Sequence, residues 1–132
     1  MIKQRNFLID TQCWLWWHTN PDRLSRQAFE LIEDGEKSIA FSVVSAWEIV
    51  IKYSLKKLRL PMHPYAYIPK RLEISYMEVL PVQLEHALQV EKLPEHHKDP
   101  FDRLLIAQAI AENLTIISSD RQLQTYHANL VW

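Results

Sequence analysis

Short apolar runs alternate along this chain with segments of helical period. Phe7 to Asp10, Ser38 to Phe41, Met77 to Leu80, Thr115 to Ser118 and Asn129 to Trp132 have strand length and predict five β-strands. Helix-period segments fill the gaps between them, and such alternation signals an α/β fold with a parallel sheet covered by helices. In "SVVSAWEIVIKYSLKKL" the residues Val44, Trp47, Ile51, Leu55 and Leu58 recur at helical spacing, which predicts a helix that buries this stripe and carries Glu48 at its edge. Leu104 to Ala111 is apolar nearly all round and predicts a helix buried on more than one side. Two stretches break the pattern. Pro61, Pro64 and Pro69 interrupt Arg59 to Pro69 and predict a loop or a reoriented short helix, and Leu93 to Lys98 predicts a second loop.

Composition narrows the classes. With 132 residues and 48% hydrophobic content, the chain suits a single domain over residues 1–132 with a core large enough to need no staples. A formal net charge of -1 argues against a basic chain wrapped on a polyanion but leaves room for a local basic patch. Cys13 is the one cysteine, so no internal disulfide forms. The run Phe7-Leu8-Ile9 meets Asp10 too soon for a signal peptide, and no apolar run reaches membrane-spanning length. A soluble, cytoplasmic protein without a membrane partner is expected. Gly35 is the one glycine, which removes glycine-rich phosphate loops and leaves any phosphate to side chains or a metal.

Four acids stand at informative places. Asp10 follows the first apolar run and faces the strand end where ligands gather in α/β sheets, or else it caps the next helix. Glu48 at the edge of its stripe either meets a cation or donors, or completes a capping box from Ser45 with Lys52 as its i,i+4 partner. In Asp99-Pro100-Phe101-Asp102, proline at the first helical position makes Asp99 the N-cap, and Asp102 falls at the third position, where an ordinary cap needs no second aspartate. Asp120 ends "TIISSD", at a strand end or at a turn. If all four converge on one edge, they cannot all ionise without a counter-charge. Oxygen ligands without a Cys or His cluster suit Mg²⁺ or Mn²⁺, which would activate water against a phosphodiester.

The order Asp10-Thr11, "SAWEI" around Glu48, "DPFDRLLIAQA" around Asp102 and "IISSD" at Asp120 resembles PIN-domain ribonucleases. It is most similar to the VapC-type toxins of bacterial toxin-antitoxin pairs, and the likeness spans essentially the whole chain. The resemblance implies a parallel sheet in order 3-2-1-4-5 and Mg²⁺- or Mn²⁺-dependent RNA cleavage. It also implies homodimerisation and inhibition by a cognate antitoxin in the active-site groove. Asp10, Glu48, Asp102 and Asp120 match the metal-binding acids, with Asp10 or Asp120 assisting deprotonation of water. Thr11 and Ser119 match polar positions beside the site, and Asp99 supports it from behind.

Other features are less specific. Trp14, Trp16 and Trp17 fill the core or an interface, or stack RNA bases. His96 and His97 are local structure or, less simply, zinc ligands. Lys52, Lys56, Lys57 and Arg59 form the best basic run, and Lys52, Lys56 and Arg103 are the candidate RNA contacts. Two other functions fit gathered acids: a Mg²⁺-binding receiver-like signalling domain, and a PIN-like binding module without turnover. Receivers pair two adjacent acids after the first strand, whereas Thr11 and Gln12 follow Asp10 here.

Overall fold

A computed structural model describes residues 6–95, 99–126 and 128–132. Five strands, β1 (Phe7–Ile9), β2 (Ile39–Ser42), β3 (Glu78–Leu80), β4 (Thr115–Ile117) and β5 (Leu130–Val131), form one sheet. Every pair is parallel and the order is β3-β2-β1-β4-β5, as expected. The chain winds outward from β1 to β3, then crosses back to β4. β1 and β4 therefore flank the point where the winding reverses, and such a point opens a crevice at the carboxyl ends of the strands.

Strand alternation sorts the core into two layers. Leu8, Ala40 and Ile116 stand side by side in register and face Leu105, Ile106 and Ala109 of α6 (Pro100–Glu112). Their neighbours Ile9, Phe41 and Ile117 point the other way. There they meet α1 (Thr11–Thr19), α2 (Arg26–Glu33) and α4 (Pro64–Ser75) through Trp14, Ala28 and Tyr67. Trp14 is fully buried, its ring centroid 4.7 Å from that of Phe41, while Trp16 and Trp17 pack at the layer's margin. α5 (Leu84–Gln89) packs beside α6. The expected burial of α6 is present from Leu105 to Ala109 and ends at Ile110.

Two expectations need correction. α3 (Val43–Ser54) buries only Val44 of the stripe Val44, Trp47, Ile51, Leu55 and Leu58. Its buried residues are Val44, Ser45, Glu48 and Ile49, while Trp47 is 57% exposed and Leu55, beyond the helix, is 59% exposed. Nor is the whole of Arg59 to Pro69 a loop or short helix: α4 starts on Pro64 and runs through Pro69 to Ser75. Pro69 and Tyr65, whose carbonyl loses an N–H partner there, are both exposed, so water can serve that carbonyl. With one glycine in the chain, α4 and α6 terminate on Tyr76 and Asn113 in the left-handed conformation that glycine usually takes.

Candidate active site at the carboxyl ends of the strands

Asp10 leaves β1 with its amide bonded to the Ile117 carbonyl of β4, so the ends of the two strands are tied together. Its Oδ1 accepts the Cys13 amide at 2.7 Å and caps α1, as one reading expected. The cap does not exhaust the carboxylate. Burial raises its pKa above the ordinary carboxylate range, hydrogen bonds from Ser118 and Cys13 offset part of this, and the charge of Glu48 raises it further.

β2 passes into α3 without a loop, and Ser42 is both the last strand residue and the N-cap. The capping box from Ser45 is therefore not formed. Glu48 lies in the second turn and is buried. Thr11 Oγ1 donates to Glu48 Oε1 at 2.7 Å, leaving Ser45 Oγ, 2.8 Å from Thr11 Oγ1, to donate to Thr11. The expected i,i+4 pair is present: Lys52 Nζ meets Glu48 Oε2. Partial burial pulls the Lys52 ammonium down, but Glu48, Asp99 and Asp102 together outweigh it and leave its pKa raised.

Asp99 caps α6 by accepting the amides of Phe101 and Asp102 on Oδ1, at 2.9 and 3.2 Å. Asp102 follows at the third helical position, half-buried. Asp120 stands beyond β4, where its Oδ1 accepts the Gln122 amide at 3.0 Å and starts a short 3₁₀ turn, Arg121–Tyr126. Ser118 joins this acid to Asp10: its hydroxyl accepts the Asp120 amide at 3.0 Å and donates to the Asp10 carboxylate.

A continuous set of contacts thus runs from Asp120 through Ser118 to Asp10. It continues along the backbone to Thr11, and from there through Glu48 and Lys52 to the charges of Asp99 and Asp102. Ser45, read in the sequence only as the start of a capping box, and Ser118, read only as the end of a strand, are both fully buried. The signal for Ser118 is the Ser-x-Asp spacing, which suits a hydroxyl that turns back onto the amide two residues on. Ser119, named instead, is exposed.

The basic candidates separate. Lys52 enters the acid cluster. Lys56, with φ 60°, and Arg59 line an apolar groove of about 1490 Å³ between α3 and α4, together with Ala46, Val50 and Tyr53. Arg103 donates to the carbonyls of Pro94 and Val90, at 2.9 and 3.3 Å, and clamps the segment before α6. His96 and His97 lie outside the described residues.

A second group with metal-ligand chemistry sits elsewhere. Atoms of Glu85, His86 and Glu112 lie within 4.8 Å of one another, at the far end of α6 from Asp102. Here the Gln83 amide donates to His86 Nδ1 at 2.9 Å. That bond puts the neutral ring's proton on Nε2, which lies 3.6 Å from Glu112 Oε2, beyond hydrogen-bond reach, so neither ring nitrogen offers a metal a lone pair.

Comparison with known proteins agrees with this architecture. Ribonuclease VapC22 of Mycobacterium tuberculosis is 25% identical over 120 residues, covering 90% of each chain. VapBC from Salmonella typhimurium, solved bound to DNA, is similar in structure with a TM-score of 0.72 and 16% identity, over 96% of this chain and 97% of that one. VapBC2 from Rickettsia felis, solved with a promoter DNA fragment, gives a TM-score of 0.68 at 17% identity, over 95% and 96%. Among the described residues no helix is long and apolar enough to cross a membrane. Residues 7–128 match the model of the PIN domain, and the chain belongs to that family.

Proposed function

We propose that this chain is a VapC-type endoribonuclease whose Asp10, Glu48, Asp102 and Asp120 hold Mg²⁺ or Mn²⁺, and that it is the toxin of a toxin-antitoxin pair. The observation that carries the reading is that Ser118 engages both the Asp10 carboxylate and the Asp120 amide at adjacent strand ends, while Thr11 and Lys52 hold Glu48 and Asp102 adds its charge at Lys52. The donor set fits a hard divalent cation, since every candidate ligand atom is a carboxylate oxygen and burial opposes the charge of Asp10. When bound, such a cation supplies Lewis-acid activation of water and of the phosphodiester.

The chain's own groups do the rest. Thr11 fixes one oxygen of Glu48, and Ser118 engages the Asp10 carboxylate while holding the backbone amide of Asp120. Asp99 anchors the helix that presents Asp102. Asp10 or Asp120 takes the proton from the attacking water. Lys52 offers its ammonium to RNA phosphate at the cluster, with Lys56 and Arg103 farther along the surface. Relatives solved as toxin-antitoxin complexes support an antitoxin partner, and the family likeness supports a homodimer acting in the cytoplasm.

Expression of the chain alone should arrest bacterial growth, and Glu48→Gln should relieve the arrest with soluble protein undiminished. Arrest by Glu48→Gln equal to that of wild type would remove Glu48 from the chemistry.

A further inference from the structure

The acid cluster brings its own cation. Lys52, one turn after Glu48, occupies Glu48 Oε2, while the Thr11 hydroxyl occupies Oε1. Both oxygens of this buried carboxylate are therefore engaged by the chain itself. The two engagements differ in kind. Thr11 is buried and held against Ser45, so its bond is part of the packing. The Lys52 side chain is 45% exposed against 6% for Glu48, so the ammonium can leave for water on its four-carbon stem.

An ordinary exposed i,i+4 pair has two solvated partners and is worth little. This pair has one partner in the interior, and Asp99 and Asp102 add their charges at the ammonium. The ammonium thus feels the negative charge of three carboxylates, two of which belong to the quartet that the reading above assigns to the metal. A divalent cation binding there meets a positive charge already bonded to one of its ligands. Like charges at one carboxylate repel, so the two cations compete for it.

We propose that Lys52 is the resident counter-ion of the acid site: it holds Glu48 Oε2 when no metal is bound, must withdraw for Glu48 to ligate, and so sets how tightly the site takes a divalent cation. This rests on the assignment of the quartet as the metal site. It goes beyond that assignment by giving a lysine outside the ligand set control over metal affinity.

Mn²⁺ titration of the full chain, followed by the electron paramagnetic resonance signal of free Mn²⁺, tests it. Lys52→Met and Lys52→Gln, each checked for folding by circular dichroism, should bind Mn²⁺ about tenfold more tightly than wild type, a difference of about 1.4 kcal/mol. Lys52→Arg, which keeps the charge, should bind no more tightly than wild type. In a Glu48→Gln background, Lys52→Met should bring no tightening, because the contested oxygen is gone. Wild-type binding with unchanged or weaker affinity in both neutral variants would overturn the role of Lys52 alone, as would tightening that persists without Glu48. If neither wild type nor the neutral variants bind Mn²⁺ at millimolar concentration, the metal assignment of the quartet falls, and this proposal with it.

Discussion

The Asp10 carboxylate caps α1 through Cys13 and at the same time sits where burial opposes its charge. Replacing it by Asn keeps an oxygen for the cap and removes the charge. A carboxyl whose folded pKa is raised binds more protons folded than unfolded, so stability falls as pH rises from the unfolded value, about 3.9, through the folded one. Below the unfolded value there is no penalty. In chelator at neutral pH, Asp10→Asn should therefore melt above wild type, and the gap should close as pH falls through the folded pKa of Asp10. A gain of about 1 kcal/mol would appear as roughly 4 °C in a domain of this size. His18, pushed down to about 4 by burial and by the charge of Arg71, acts oppositely and costs stability as pH falls below its unfolded value. It does so in both proteins, and the difference between their melting curves isolates Asp10. Parallel curves would mean that the carboxylate is not desolvated. At this scale the sequence singled out the acids but could not show that Asp10 caps α1 while burial opposes its charge. The contacts of Ser45 and Ser118 stayed hidden because a buried hydroxyl is recognised by its partner, and their partners Thr11 and Asp10 come from other elements.

At the scale of elements, α3 shows why hydrophobic period alone misjudged a face. The helix turns Ser45 and Glu48 inward because Thr11 and Lys52 satisfy them, and it leaves Val43, Trp47 and Val50 outward. Polar groups that meet one another can be buried, and an apolar count then points to the wrong side. α6 was read better, since proline at its first position and Asp99 before it specify a helix start from local rules alone. The same helix separates capping from charge at Asp99. Asp99→Ala should cost about 1 kcal/mol of stability through the lost bonds to the amides of Phe101 and Asp102. Asp99→Asn should restore it, as measured by urea denaturation. If Asp99→Asn is as unstable as Asp99→Ala, the carboxylate's charge, and not the cap, holds the start of α6.

For the molecule as a whole, alternation of strand and helix was enough to place all five strands within two residues at either end. The order of those strands was not in the spacing; it came with the family resemblance, and the sheet has it. The same topology explains how three acids distant in sequence reach the carboxyl ends of neighbouring strands. Asp10 and Asp120 leave the adjacent strands β1 and β4, where the winding reverses, and Glu48 arrives on a helix that starts directly from β2. As proposed above, this convergence forms a metal-dependent nuclease site. Purified chain incubated with single-stranded RNA should cleave it in Mg²⁺ or Mn²⁺ and leave 5′-phosphate ends, because water is the nucleophile. It should fall silent in EDTA and in Glu48→Gln. Cleavage that survives EDTA, or that leaves 2′,3′-cyclic phosphate, would contradict the account.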